Sequence, residues 1–171
     1  MGQEFLQSSS GLTNSPSDNP SFLREPEEVS RLGVLALRSH PSLVIWCSGN
    51  ELAWEGRIPV DERHLNIKML KGIVRELDPA RPFFPTSPSG PRFNFSLADV
   101  GKGVHHDIHR PWSYLGDGAH YEEFNVDDSL FRSETGAPSA SRWEAIHRYA
   151  GGYAVWPPKR DNPYSLHRGS W

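Results

Sequence analysis

Two glutamates sit where acid–base and nucleophilic chemistry needs them. Glu51 ends the run His40-Pro41-Ser42-Leu43-Val44-Ile45-Trp46-Cys47-Ser48-Gly49-Asn50-Glu51. Glu134 lies in Leu130-Phe131-Arg132-Ser133-Glu134-Thr135-Gly136-Ala137-Pro138-Ser139. Each follows a short apolar run and precedes a chain breaker or a polar segment. That is the pattern of a carboxylate at the exit of a buried strand, aimed into a pocket. Two carboxyls roughly 5–5.5 Å apart across an acetal carbon can split its cleavage into two steps, one donating a proton to the leaving oxygen while the other attacks. One must therefore be protonated and the other ionised.

The elements that must hold them alternate in type. Residues 5–20 are rich in Ser, Asn, Gly and Pro and read as loop. Val29, Leu32, Leu35 and Ala36 recur at helical spacing and predict a helix over 27–38. The continuous apolar run 43–47 has strand length, as in parallel strands buried on both faces. Asp61 is an expected N-cap for a helix reaching Leu77, with Leu65, Met69, Ile73 and Leu77 on one stripe and Asp78-Pro79 ending it. Short strands are expected at 83–85, 103–108 and 130–133. Residues 114–128 read as a long polar loop. Ser141 and Glu144 form a capping-box pattern that opens a helix to about Tyr149. Residues 151–171 read as aromatic, proline-rich loop. Helices alternating with strands favour an α/β fold with parallel strands. Functional residues at the C-terminal ends of strands are the layout of a (β/α) barrel.

Composition excludes several classes. In 171 residues the net charge is -3 and the pI is near 6.2, so the basic footprint of a nucleic-acid binder is missing. No apolar stretch approaches the length of a membrane span. The N-terminal residues lack the basic and apolar regions of a signal peptide, and the compartment is left unassigned. A single cysteine, Cys47, rules out an internal disulfide and is expected to be a small buried hydrophobe.

Four strings carry a resemblance: LRSHPSLVIWCSGNE, DPARPFFPTSPSG, LFRSETGAPS and, more loosely, DNPYSLHRGSW. The chain resembles part of the catalytic barrel of glycoside hydrolase family 2, on the β-mannosidase branch. EFLQSSSGL near the start is similar to the end of the third barrel strand. The resemblance spans nearly all 171 residues and implies an α/β fold: a partial (β/α)8 TIM barrel, approximately strands three to seven, in one domain over 1–171. It further implies that the remaining strands and the flanking β-sandwich domains of a parent enzyme have no counterpart here. It implies Glu51 as general acid/base, Glu134 as nucleophile, and Asn50 as the holder of the hydroxyl beside the reacting carbon. The substrate implied is a carbohydrate, a β-linked mannoside or related glycoside. The chemistry implied is retaining, with a covalent glycosyl-enzyme intermediate and no cofactor or metal. Thr135 stands where the β-mannosidase branch commonly has an aromatic, and Ser-Glu-Thr is also similar to the exo-β-glucosaminidase branch.

Further binding residues are expected around this pair. Trp54, just past Glu51, is a candidate for stacking on a sugar face, and Trp112 and Tyr121 are candidates on the long loop. In His105-His106-Asp107-Ile108-His109, alternation places His105, Asp107 and His109 on one strand face. Asp107 and His109 are the candidates for binding sugar hydroxyls. The same face offers metal ligands to a different, metal-dependent hydrolase. A non-catalytic fragment with sugar-binding residues but no closed pocket is the other alternative. Trp46 is expected in the core.

Overall fold

The computed structural model describes residues 1–7, 14–136 and 141–152. In chain order they form β1 (Gly2–Glu4), α1 (Pro20–Leu37), β2 (Ile45–Cys47), β3 (Ala53–Trp54), β4 (Ile58–Pro59) and α2 (Leu65–Leu77). Then come β5 (Phe83–Phe84), a 3-10 turn (Leu97–Asp99), β6 (Asp107–His109), α3 (Asp117–Val126), β7 (Phe131–Glu134) and α4 (Trp143–Tyr149). The chain divides into two compact units: Met1–Arg110 with Val126–Glu134, and Pro111–Asn125 with Thr135–Trp171.

In the first unit β2 runs parallel between β1 and β5, with Trp46 opposite Gln3 on one side and Phe83 on the other. Helices α1 and α2 form the crossovers that such parallel neighbours require. Pairing continues beyond the strands: Ser48 N–H donates to Phe84 O at 3.0 Å, Ser87 N–H to Gly49 O at 3.0 Å, and Asn50 bridges Ser87. Strand β6 pairs in parallel with β7, and β3 and β4 form a short antiparallel hairpin after Glu51.

The core lies where the two helices cover β2. Val34, Leu43, Trp46, Leu70, Ile73 and Val74 form one buried cluster, and Leu52, Val60 and Ile67 a second. Trp46 is in the core, as expected, 1% exposed and stacked on Phe5 at 5.5 Å. Its indole Nε1 donates to Asp78 Oδ2 at 2.8 Å. Arg81 donates to the same carboxylate oxygen at 2.7 Å and to the Arg38, His40 and Leu43 carbonyls, tying the ends of both helices to β2.

Several elements differ from the sequence reading. Helix α1 begins seven residues early, because Asn19 accepts the Ser21 N–H and Pro20 supplies a preset first-turn φ. Its buried residues are Ser30 and Val34, while Val29, Leu32 and Leu35 are exposed. Helix α2 begins at Leu65 because His64, not Asp61, is the N-cap; Nδ1 of His64 accepts the Asn66 N–H at 3.2 Å. Asp61 is spent on a turn, accepting from Arg63 N–H at 3.0 Å. The buried stripe of α2 is Ile67, Leu70, Ile73 and Val74, with Leu65 exposed.

In the second unit, the expected polar loop contains α3, which carries no apolar stripe and buries no residue. Helix α4 starts without a side-chain cap, so the capping box at Ser141 does not form. The loop expected over 151–171 lies, after Gly152, outside the described residues. No described helix is long and apolar enough to cross a membrane.

Candidate active site

Glu51 is positioned by backbone contacts on three sides. The chain passes so close to Gln7 that a Cβ on Gly49 would meet the Gln7 carbonyl oxygen at 2.3 Å. Only glycine fits there. Asn50 N–H donates to that carbonyl at 3.1 Å. Glu51 then takes φ 56°, in the left-handed region where a residue with a Cβ is strained. Its N–H donates to Ser87 O at 2.6 Å, and its carbonyl accepts from Asn14 Nδ2 at 2.6 Å. Thr86 Oγ1 accepts the next amide, Leu52 N–H, at 2.9 Å. The strained residue is thus held at both of its backbone polar groups.

Glu134 is positioned by a β-bulge. Asp107 pairs with Phe131 and Ile108 with Arg132, but His109 pairs with Glu134. Ser133 is the extra residue, and its N–H donates to Asp107 Oδ1 at 3.1 Å. In a regular ladder His109 would face Ser133; the inserted residue brings Glu134 to the His109 face instead. The bulge also sets Arg132 and Glu134 on different faces. Two residues apart on an unbroken strand they would share a face, but the bulge separates them. Arg132 donates to Asp127 Oδ2 at 2.8 Å and to the Arg110 carbonyl, with its guanidinium over Phe95.

The two carboxylates converge on His109. Its Nδ1 is 3.4 Å from Glu51 Oε1 and 3.6 Å from Glu134 Oε2. One donor atom from each of the three residues lies within 4.8 Å of the other two. His109 is 0% exposed, and its Nε2 is 3.0 Å from Ser87 Oγ. The side chains of Glu51 and Glu134 are 27% and 46% exposed, so Glu51 is the more enclosed of the pair.

The other predicted residues divide. Asp107 is 2% exposed, and both carboxylate oxygens accept hydrogen bonds: Oδ1 from Ser133 N–H, Oδ2 from Ser89 N–H at 2.8 Å and Ser89 Oγ at 3.2 Å. It ties the turn after β5 to the bulge of β7. His105 does not join His109 in a cluster; its Nδ1 is 2.6 Å from Asp128 Oδ1, and that contact is the main cause holding the Asp128 carboxyl below its ordinary value. Trp54 packs its indole on His64 at 5.3 Å with Arg63 at 5.9 Å, and its Nε1 finds no partner among the described residues. Trp112 and Tyr121 belong to the second unit, where Tyr121 is 69% exposed on α3.

Three contributors went unnoticed in the sequence. Ser87 and Asn14 sit in turn-like strings whose only signal was Ser, Pro and Asn content. Glu4, at the end of β1, interacts with Glu134; desolvation first, and then the Glu134 charge, push its carboxyl up, against a hydrogen bond with Cys47. Cys47 is buried as expected, and burial drives its thiol to about 12.

Residues 2–126 match the family model described as glycosyl hydrolases family 2, TIM barrel domain. The chain belongs to glycoside hydrolase family 2. The matched segment contains Glu51, Asp107 and His109 and stops short of Glu134. β-Mannosidase B of Thermothelomyces thermophilus is 28% identical over 162 residues, covering 84% of this chain and 18% of that protein. β-Mannosidase B of Neosartorya fischeri is 28% identical over 135 residues, covering 68% of this chain and 15% of its own length. The chain therefore spans less than a fifth of these relatives. The crystal structure of a β-D-mannosidase from Dictyoglomus thermophilum aligns with a TM-score of 0.60 at 24% identity, over 86% of this chain and 18% of that one. That likeness establishes the fold, a partial TIM barrel to which the parallel sheet β1-β2-β5 and the parallel pair β6-β7 contribute.

Proposed function

We propose that this chain carries the catalytic carboxylates of a retaining β-glycosidase of the β-mannosidase type. We further take 1–171 as one stretch of its barrel domain. The observation that carries the reading is the convergence of Glu51 and Glu134, with donor atoms no more than 4.8 Å apart. Retaining enzymes need carboxyls about 5–5.5 Å apart, whereas inverting enzymes need about 6.5–9.5 Å to admit a water. The pair is on the retaining side.

In this reading the more open Glu134 attacks the anomeric carbon, forming a glycosyl ester as the bond to the leaving oxygen breaks. The more enclosed Glu51 gives its proton to that oxygen. Glu51 then takes a proton from water, whose oxygen attacks the same carbon and releases Glu134. Asn50, next to Glu51 in the chain, holds the neighbouring sugar hydroxyl in this reading. His109 lies between the two carboxylates, and Asp107 holds the bulge that aims Glu134. Trp54 remains a candidate for a sugar face. The β-mannoside assignment draws on the two relatives named β-mannosidase B.

The test is hydrolysis of an aryl β-mannoside, beside aryl β-glucoside and β-glucosaminide, by the purified chain, Glu51→Ala and Glu134→Ala. Loss of turnover in both variants, with azide or formate restoring only Glu134→Ala, is the expected result. Unchanged turnover in Glu134→Ala overturns the nucleophile assignment. A folded wild type without turnover favours a second reading, motivated by the short span against the relatives. In it the motifs are intact, and residues outside this chain complete the pocket.

A further inference from the structure

We propose that Glu51, His109 and Glu134 form a binding site for a divalent transition-metal ion, Zn2+ foremost, and that the ion and a glycoside exclude each other there. The argument begins with two distances. His109 Nδ1 stands 3.4 Å from Glu51 Oε1 and 3.6 Å from Glu134 Oε2. Both exceed the roughly 2.7–3.2 Å of a good N–H···O hydrogen bond. Two donors on one tetrahedral Zn2+, with metal–ligand lengths of about 2.0–2.2 Å, stand about 3.3–3.5 Å apart. The spacing of the imidazole to both carboxylates is therefore closer to that of ligands on a shared ion. The carboxylate oxygens themselves are within 4.8 Å of each other, so only that one edge of the ligand triangle has to shorten. Both glutamate side chains are partly exposed.

The surroundings fit a metal ligand as well. His109 is fully buried, which fixes its ring plane. Its Nε2 lies 3.0 Å from Ser87 Oγ. If Nε2–H donates to that hydroxyl, Nδ1 presents its lone pair to the carboxylates, the tautomer a metal-bound histidine needs. Asp107 holds the bulge that aims Glu134, through Ser133 N–H. One imidazole with two carboxylates suits Zn2+ and its neighbours, whereas Mg2+ and Ca2+ prefer six or more oxygen ligands. Three protein ligands leave the fourth tetrahedral position open.

Binding stands on this geometry alone. Its consequence for turnover rests on the function proposed above: an ion bound here occupies the oxygens required for proton donation and for attack.

The experiment is calorimetric titration of Zn2+ into the metal-stripped full chain, with Mg2+ as the comparison ion. Glu134→Gln, Ser87→Ala and His106→Ala are titrated in parallel. His106 is exposed, and its Nε2–H donates to the Gly103 carbonyl at 3.1 Å. One equivalent of Zn2+ is expected to bind, with Mg2+ giving no comparable heat. Ser87→Ala, which removes only the outer partner of His109, is expected to weaken binding about 10–100-fold. Glu134→Gln, which is isosteric, is expected to weaken it at least as much, and His106→Ala to leave it unchanged. Absence of Zn2+ binding by the folded wild type overturns the proposal. So does binding that is indifferent to Glu134→Gln and Ser87→Ala, or that is lost in His106→Ala. Metal binding as expected in a chain without turnover leaves the site standing while the glycosidase reading fails. In an active chain, Zn2+ inhibition that is not competitive with aryl glycoside overturns mutual exclusion.

Discussion

Replacing Asp107 separates a positioning role from a sugar-binding one. Its carboxylate is 2% exposed and accepts hydrogen bonds from Ser89 N–H, Ser89 Oγ and Ser133 N–H at 2.8, 3.2 and 3.1 Å. Hydrogen bonds to a charged group contribute about 1.5–3 kcal/mol each, and a buried N–H left without an acceptor costs about 1–3 kcal/mol. Alanine strands two such amides. Neighbouring contributions overlap, so the expected loss is about 3–4 kcal/mol rather than the full sum. That is a large part of the about 5–15 kcal/mol that holds a domain folded. Asparagine keeps one acceptor but turns an N–H toward the other amide, and is expected to cost about 2 kcal/mol. Urea unfolding followed by tryptophan fluorescence measures both losses, and an unchanged slope shows that the same surface is exposed. If Asp107→Ala costs less than about 1 kcal/mol, below the value of a single such bond, and raises KM instead, the carboxylate faces sugar and the positioning argument is wrong.

Three further outcomes are expected. Asp78→Ala removes the acceptor of Trp46 Nε1 and the carboxylate partner of Arg81 in a buried setting; it should cost about 3–5 kcal/mol in chemical denaturation. Combined with Trp46→Phe the loss should fall short of additivity, and strict additivity would count against the shared contact. At Asp127, burial pushes the carboxyl up, but hydrogen bonds from Ser129 and Arg132 outweigh it and hold it below 3.8. A depressed folded value means stability present above pH 3.8 and lost as pH falls through the lower folded value. Asp127→Asn should flatten that acid limb of the stability profile, and an unaltered limb would refute the assignment. The Cys47 thiol, pushed to about 12, should resist alkylation by iodoacetamide at neutral pH until the chain unfolds. Its contribution to stability should be present below 9.0 and lost as pH rises from there toward about 12.

The sequence was most legible where one local rule decided the outcome. The apolar run through Trp46 gave β2, and the breaker Asp78-Pro79 gave the end of α2. It was less legible where two rules competed. Asp61 and His64 both offer an acceptor ahead of α2, and the turn closed by Arg63 consumed the stronger capper. Helix α3 has no apolar periodicity at all, so pattern reading had nothing to detect in it. The two carboxylates were marked by their strings, and His109 by its alternation with Asp107. What alternation could not deliver was the break in its own rule: an extra residue in β7 is invisible to a period of two. Ser87 and Asn14 were equally hidden, because their contribution is made across long sequence separations by atoms common to every turn.

The bulge at Ser133 sets the regularity of the ladder against the chemistry. Deleting that one residue would restore an unbroken β6–β7 pairing and leave every named side chain in the sequence. Glu134 would then take the regular position opposite His109, and what would be lost is the Ser133 N–H that donates to Asp107 Oδ1 at 3.1 Å. A single-codon deletion of Ser133 should therefore be felt first at the buried Asp107 carboxylate, which loses a donor, and not in the facing of Glu134. Among relatives, a one-residue change in the length of this segment is then read at Asp107, through the gain or loss of that donor, before it is read at the glutamate.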